Sequence, residues 1–214
     1  GVVPSQWKTS RLSLIPKGPI VRDIEKDLRP IAITCPISKV AEVFVSRLFD
    51  EFYDDNKDVH QYGSVTGRST TLALVKLFHV LFDASDDNNN IIRILFVDFS
   101  RAFDLINHNV IKRKLEENKS PAVLSNWLLS FLNNRTQFVK IGDRISKCVA
   151  VNAGAPQGTR AGPNCFKLLI SDLTFSIPYV KYVDDVSLLS ISHDFSDDSL
   201  QQALCYLQSW CNLN

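Results

Sequence analysis

Two short apolar runs, Tyr179 to Val183 and Val186 to Ile191, enclose Asp184-Asp185 in the stretch KYVDDVS. Runs of this length with two residues between them read as the strands of an antiparallel hairpin. Such a turn ordinarily carries Asn-Gly or Asp-Gly, whereas adjacent carboxylates repel one another and gain no ladder bonds. A nearby divalent cation would relieve that repulsion; the plain alternative is a solvated turn, where Asp is common. A further apolar run, Ile91 to Val97, has the length of a buried strand and ends at Asp98 in RILFVDFSRAFD. A strand that stops in Asp presents a carboxylate at the sheet's end, and the competing reading is a helix cap. Three carboxylates from two segments, all oxygen donors, are what Mg²⁺ takes. Two such ions ~3.5–4 Å apart clamp the attacking and leaving oxygens of a displacement at phosphorus.

The rest of the chain is compatible with a folded protein around such a site. Its 214 residues are 45% hydrophobic and 22% charged, enough for a sizeable core in one large or two small domains. The net charge of +1 gives no global basic field, but the charge is unevenly placed. Residues 1 to 40 hold seven Lys or Arg against three acids, and residues 182 to 214 hold five Asp and no Lys or Arg. One end suits phosphates and the other suits cations. Five cysteines without a C-x-x-C pair fit reduced, buried structural thiols in an intracellular protein better than a disulfide framework. No apolar run approaches the ~18 residues of a membrane span, so no membrane partner is expected. The absence of Met, even at position 1, reads as a segment of a longer polypeptide.

Coarse periodicity gives an order of elements. Ser10 to Ile15 and Leu28 to Ile33 read as a hairpin around a charged Gly/Pro connection. Helical spacing runs from Ser38, a plausible N-cap, to about Tyr53, and again from Ser69 or Thr70 to about Phe82. Asn107 to Glu117 and Pro121 to Leu132 read as helices, the second with Ser120 as cap and proline at its first position. Residues 136 to 141 and 144 to 152 form strands around Gly142-Asp143. Helices are expected from 163 to about 174 and from Asp197 to Trp210. Strands and helices without a regular alternating period suggest α+β with a mainly antiparallel sheet.

Two further stretches have chemical potential. GAPQGTRAGPNCF, from Gly154 to Phe166, is a Gly/Pro-rich lead into a helix whose backbone can approach a ligand, with Gln157 and Arg160 as polar groups; an unusual turn is its plain reading. Lys17 in LIPKGP and Arg29 in DLRPIAI can converge on one anion, although solvation is the usual fate of such residues. Asp104 reads most simply as a cap near Asn107, which weakens a phosphatase or nuclease built on Asp98 and Asp104.

In order along the chain stand WKTSRLSLIPKGP, DLRPIAI followed by SKVAE, QYGSVTGRSTT, FVDFSRAFD, GAPQGTRAGP and YVDD. Together these resemble a reverse transcriptase domain of the non-LTR, LINE-like retrotransposons. The resemblance implies a right-hand polymerase fold of fingers plus palm, with an antiparallel sheet packed on helices. Residues 1–90 would be mainly fingers and 91–214 mainly palm, with part of the fingers within 107–150 and the chain stopping before a thumb. It implies Asp98, Asp184 and Asp185 as catalytic, metal-binding acids for two Mg²⁺ ions, or Mn²⁺ in their place; of the adjacent pair, Asp184 reads as the ligand and Asp185 as either a weaker ligand or a charge just behind it. Phe103 would close against the sugar 2′ position and favour deoxynucleotides. Lys17 and Arg29 would hold the incoming triphosphate, Gln157 and Gly158 would contact nucleotide and template, and the Phe99 carbonyl would lie near an ion. The implied partners are an RNA template, a DNA primer, deoxynucleoside triphosphates and the other domains of a parent polyprotein, in a nuclear or nuclear and cytoplasmic setting. An RNA-copying RNA polymerase is a near alternative, and a domesticated relic that binds nucleic acid without turnover is one of a different class.

Overall fold

The computed structural model describes residues 1–55 and 58–214. Along the chain the elements are β1 (Thr9–Pro16), α1 (Ile24–Asp27), β2 (Leu28–Ile33), α2 (Pro36–Asp55), α3 (Thr70–Ser85) and β3 (Ile91–Val97). There follow α4 (His108–Glu117), α5 (Ala122–Leu132), β4 (Arg135–Ile141), β5 (Arg144–Ile145), β6 (Val149–Val151), α6 (Ala161–Leu169), β7 (Tyr179–Tyr182), β8 (Asp185–Ser192) and α7 (Ser199–Leu213). The chain divides into two compact units, Gly1–Asp55 with Phe103–Cys165, and Asn56–Ala102 with Phe166–Asn214. The fold is α+β, as the sequence suggests.

In the first unit β1 and β2 form the expected antiparallel hairpin, with Leu12 opposite Ala32 and Ile15 opposite Arg29. On its other edge β1 pairs in parallel with β4, a pairing that periodicity alone does not reveal. The strand expected over 144 to 152 is split into β5 and β6. Ser146 causes the break: its hydroxyl accepts from Val139 N–H at 2.9 Å, and its own N–H donates to Val139 O at 2.9 Å. Helices α2, α4 and α5 supply apolar core residues, among them Phe49, Ile111, Leu115, Leu124 and Phe131. Arg135 is also buried; its guanidinium donates to Phe131 O at 3.1 Å and Ser10 Oγ at 2.8 Å and lies 4.5 Å over the Phe131 ring. Burial lowers the Arg135 pKa to about 10, against the opposing pull of Glu42, so the side chain is still cationic at neutral pH.

Several helix ends differ from expectation for local reasons. Helix α2 begins at Pro36, whose fixed φ suits a first turn, so Ser38 lies inside the helix and is fully buried. Ser120 does not cap α5. Its N–H instead closes α4 by donating to Leu115 O, with Lys119 at φ 54° and its N–H on Glu116 O, the Schellman pattern of a helix stop. Pro121 then takes the N-cap position of α5. Ser69 does cap α3, accepting from Leu72 N–H at 3.2 Å. All five cysteines are free thiols, but only Cys165 is buried; Cys148, Cys205 and Cys211 are exposed, contrary to a general structural role.

The second unit is a three-stranded antiparallel sheet in the order β3-β8-β7. One face packs Val180 and Leu189 against Ala73 and Leu77 of α3. The other packs Tyr179, Val186 and Leu188 against Ala203 of α7, with Leu95, Val97 and Phe99 alongside. Helix α7 starts later than expected because Asp197 is tied to the sheet: it accepts from Arg93 at 2.9 Å, Ser190 Oγ at 2.6 Å and Ser199 Oγ at 2.7 Å. The Ser190 and Ser199 bonds hold its carboxyl below the ordinary value. Lys181, in the middle of β7, is wholly buried. Its Nζ donates to Ile170 O at 2.8 Å and Leu173 O at 2.7 Å and pairs with the Asp58 carboxylate. No helix among the described residues is long and apolar enough to cross a membrane.

Removing the cation from such a buried pair strands the anion. Lys181→Met is expected to cost roughly 3–5 kcal/mol of unfolding free energy, read as a lower urea midpoint at unchanged m. A loss below about 1 kcal/mol, the range of an exposed pair, would contradict the role given to this contact.

Candidate functional site

The acidic end of the second unit's sheet is fixed by what is buried beside it. Val97 lies opposite Val186, and both side chains sit against the α7 cluster. Phe99 returns to the same cluster, with its ring edge-on to Phe166 at 6.1 Å and to Trp210 at 6.2 Å. Since side chains alternate along extended backbone, Asp98 between Val97 and Phe99 is directed to the opposite face. Asp185, next to Val186, follows the same rule. Carrying the β3–β8 register one step beyond Val97 and Val186 sets Asp98 abreast of Asp185 at one strand end. Both are exposed, and Asp184 beside them is half-buried. A cap role for Asp98 does not arise, because the next helix is capped by Asn107, whose side chain accepts from Asn109 N–H at 2.9 Å.

The hairpin turn lies one residue earlier than the sequence suggests. Tyr182 pairs with Asp185, so the turn residues are Val183 and Asp184 rather than Asp184 and Asp185. Val183 has φ 56°, a left-handed value that costs a β-branched residue of order 1–3 kcal/mol. Its backbone N–H is taken by the side chain of Gln61 at 2.8 Å, which removes Val183 from the ladder. Gln61 is a residue that periodicity does not single out. Its only sequence signal is its place in QYGSVTGRSTT.

Among the described residues, no three His, Cys, Asp or Glu side chains converge in the manner of a metal centre. The donor set at this strand end nevertheless suits a hard divalent cation: all its donors are carboxylate oxygens, and the neighbouring Asp98 and Asp185 are exposed, with room for their rotamers to turn toward an ion.

In the first unit the start of the Gly/Pro-rich stretch, Gly154 and Ala155, is bound to the segment after Ala102. Ala155 N–H donates to Phe103 O at 2.8 Å, and Gly154 N–H donates to Ile106 O at 2.8 Å. Gly154 has φ 81°, and a Cβ there would meet Asp104 O at 2.6 Å. Asp104 is not a helix cap; its carboxylate accepts from Gln157 Nε2 at 3.1 Å. Gln157 O in turn accepts from Ala32 N–H at 2.8 Å, and Gly158, at φ 94°, lies against Ile31 of β2. Phe103, Gln157 and Gly158 thus belong to one backbone-tied assembly, beside a cavity of about 200 Å³ lined in part by Ala32, Asp104, Arg135 and Gln157. Lys17 and Arg29 lie at the loop end of the β1–β2 hairpin, both exposed, with Lys17 N–H donating to Asp27 O at 2.8 Å. Backbone bonds from Asp23 and Arg22 hold the Asp27 carboxyl below its ordinary value, and Lys17 adds to this.

Glu42, on α2, sets the start of α6. Its Oε2 accepts from Arg160 N–H at 2.7 Å and Ala161 N–H at 3.4 Å, which satisfies the first donors of that helix. Burial raises the Glu42 pKa more than these bonds and the nearby Arg135 lower it. Its function as a helix anchor depends on a partner 118 residues away and has no local sequence signal.

These elements define a right-hand polymerase fold of the fingers-and-palm kind, with acids at the end of an antiparallel sheet. The chain belongs to the reverse transcriptase (RNA-dependent DNA polymerase) family, whose model matches residues 15–214. It is 27% identical over 97% of its length to a probable RNA-directed DNA polymerase from transposon BS of Drosophila melanogaster, of which it covers 24%. It is 24% identical over 98% of its length to the RNA-directed DNA polymerase from mobile element jockey of the same organism, again covering 24%. The chain therefore spans about a quarter of the length of these curated relatives. Among solved structures, telomerase from Candida tropicalis in complex with a telomeric RNA fragment matches with a TM-score of 0.65 at 13% identity, over 95% of this chain and 40% of that one. Divalent metal ions are the cofactor class of this family.

The raised pKa of Glu42 fixes the sign of a pH effect. The folded chain binds this proton more tightly than the unfolded chain, whose carboxyl titrates near 4.5. Wild type should therefore gain stability relative to Glu42→Gln as pH falls from 7 through the shifted value, with the gain complete below 4.5. Urea unfolding of both proteins across that range checks it. A difference that is flat, or that grows toward neutral pH, would contradict the buried-carboxylate reading.

Proposed function

We propose that this chain is the fingers and palm part of an RNA-directed DNA polymerase of a non-LTR retroelement, which adds deoxynucleotides to a primer 3′ end. The observation that carries the reading is the β3–β8 register, which sets Asp98 abreast of Asp185 beside the half-buried Asp184. In this reading the second unit is the palm and the first unit carries the fingers. RNA template, DNA primer and deoxynucleoside triphosphates are the substrates, and the other domains of a parent polyprotein are its partners.

Asp98 and Asp184 would hold Mg²⁺, or Mn²⁺ in its place, with Asp185 as a weaker ligand or a charge just behind them. Two bound ions supply charge neutralisation at the attacking and leaving oxygens. Exposed Lys17 and Arg29 bind the triphosphate, Arg29 with a planar fork that matches phosphate oxygens. Gln157 is presented by its bond to Asp104 and, with Gly158, contacts nucleotide and template. Phe103, held through its carbonyl by Ala155, blocks a ribose 2′-OH. The Phe99 ring is anchored in the α7 cluster, and its backbone carbonyl would lie near one of the ions. The primer 3′-OH attacks the α-phosphorus and pyrophosphate leaves, so these residues act by positioning and by charge.

The test is primer extension on an RNA template with Mg²⁺, comparing wild type with Asp184→Ala and Asp98→Asn. Each substitution is expected to lower incorporation by about 10³-fold or more, whereas equal extension by wild type and Asp184→Ala would end the polymerase reading. Nucleic-acid binding with no incorporation by wild type would favour the relic. Phe103→Val should raise ribonucleotide incorporation relative to deoxynucleotide by on the order of tenfold or more, the scale of one lost steric contact in a pocket. No gain would remove the sugar-gate role.

A further inference from the structure

The segment before α3 runs alongside the acidic hairpin of the second unit. Lys181 N–H donates to His60 O at 2.8 Å, and Tyr62 N–H donates to Lys181 O at 2.8 Å, so Gln61 forms a parallel bridge with Lys181. This bridge delivers the Gln61 side chain to the turn. Its Oε1 accepts from Val183 N–H at 2.8 Å and from Gly63 N–H at 2.8 Å, while its Nε2 donates to Val183 O at 3.3 Å. Two donors on one side and an acceptor on the other leave a single orientation for the amide. Gln61 is wholly buried, so water does not compete for these bonds.

Gly63 completes the contact. A Cβ at this position would lie 2.4 Å from Val183 N, 2.4 Å from Val183 Cγ2 and 2.9 Å from the carbonyl carbon of Tyr182. Only glycine lets the segment approach this closely. Both polar groups of the Val183 backbone are thus held by one side chain, at the residue whose φ of 56° an unsupported valine would leave. Asp184 and Asp185 are the next two residues.

We propose that Gln61 is a positioning residue: its amide clamps Val183 in the left-handed conformation and so sets the direction in which Asp184 and Asp185 leave the turn. The inference deepens the polymerase reading and rests on it for the consequence in catalysis. A glutamine that only filled space would be replaced by methionine, which has a similar volume, with little effect on the turn. A clamp requires the acceptor oxygen. Gln61→Glu keeps an oxygen facing the Val183 and Gly63 N–H groups and loses the donor to Val183 O, so it should fall between wild type and Gln61→Met.

The experiment is residue-resolved hydrogen exchange on the chain, together with RNA-templated primer extension, for wild type, Gln61→Glu and Gln61→Met. In Gln61→Met the Val183 amide is expected to exchange on the order of tenfold faster or more, while the β3–β8 ladder amides keep their protection. In the same variant kcat should fall by on the order of tenfold with KM for the deoxynucleotide within about twofold, and Gln61→Glu should restore part of both effects. Unchanged Val183 exchange in Gln61→Met would overturn the clamp, as would lost protection with wild-type kcat. If both variants expose the whole ladder together with Val183, Gln61 is a folding residue and the proposal is overturned. Failure of wild type to extend any primer would instead remove the polymerase reading, and the order of Val183 exchange rates would still decide whether the clamp exists.

Discussion

The arrangement of the acidic end depends on the burial of Val97, Phe99, Val186 and Leu188 against α7. With these apolar side chains on one face, extended backbone leaves Asp98 and Asp185 on the other. The antiparallel ladder fixes how far along each strand that happens, because a slip of one residue would bury the carboxylates and expose the valines. Hydrophobic packing on one side of a sheet thereby determines where charge gathers on the other. The carboxylates lie where the chain leaves its regular ladder, which is also where solvent and a ligand have access.

That placement has local costs, and the rest of the unit meets them. Val183 is in a backbone conformation better suited to glycine, and the Gln61 amide occupies its N–H and C=O. Lys181, two residues before that turn residue, is buried as a cation and is satisfied by Asp58 and by the carbonyls of Ile170 and Leu173. Asp58 also accepts from His60 N–H at 2.9 Å, and Arg68 donates to the carbonyls of Asp58 and Val59. The stretch from Asp58 to Arg68 has little regular secondary structure. It nevertheless supports β7 through the ion pair of Asp58 with Lys181 and the backbone bonds of His60 and Tyr62 to Lys181. In the first unit Glu42 has a comparable position, where a buried carboxylate fixes the start of α6 directly after the loop that carries Gln157 and Gly158.

The features legible in the sequence are those that depend on near neighbours. The β1–β2 hairpin, the apolar strand that ends at Asp98, the helix that starts at Thr70 and the Gly142-Asp143 turn all follow from patterns spanning a few residues. That strand, however, is half-buried with Phe96 exposed and not the buried run that its composition suggests. The features that were not legible depend on partners far along the chain. Parallel pairing of β1 with β4 joins segments more than 120 residues apart. The one-residue shift of the acidic turn comes from Gln61, at a separation of 122 residues. Ser120 has the type of a cap but its backbone is already used to close α4. Asp104 has the type of a cap but its carboxylate is turned to Gln157. The chemical identity of the candidate acids is plain in FVDFSRAFD and YVDD, whereas what orients them comes from the fold.

In the function proposed for this chain, the end of β3 and the β7–β8 turn form one cation site. Titration of the chain with Mn²⁺, followed by electron paramagnetic resonance of the free ion, tests it directly in wild type and in Asp98→Asn. A shared site predicts saturable binding in wild type that weakens by at least about tenfold when this one carboxylate is neutralised, since affinity for hard cations follows the ligand charge count. Equal binding by the two proteins, or no saturable binding by wild type, would contradict it.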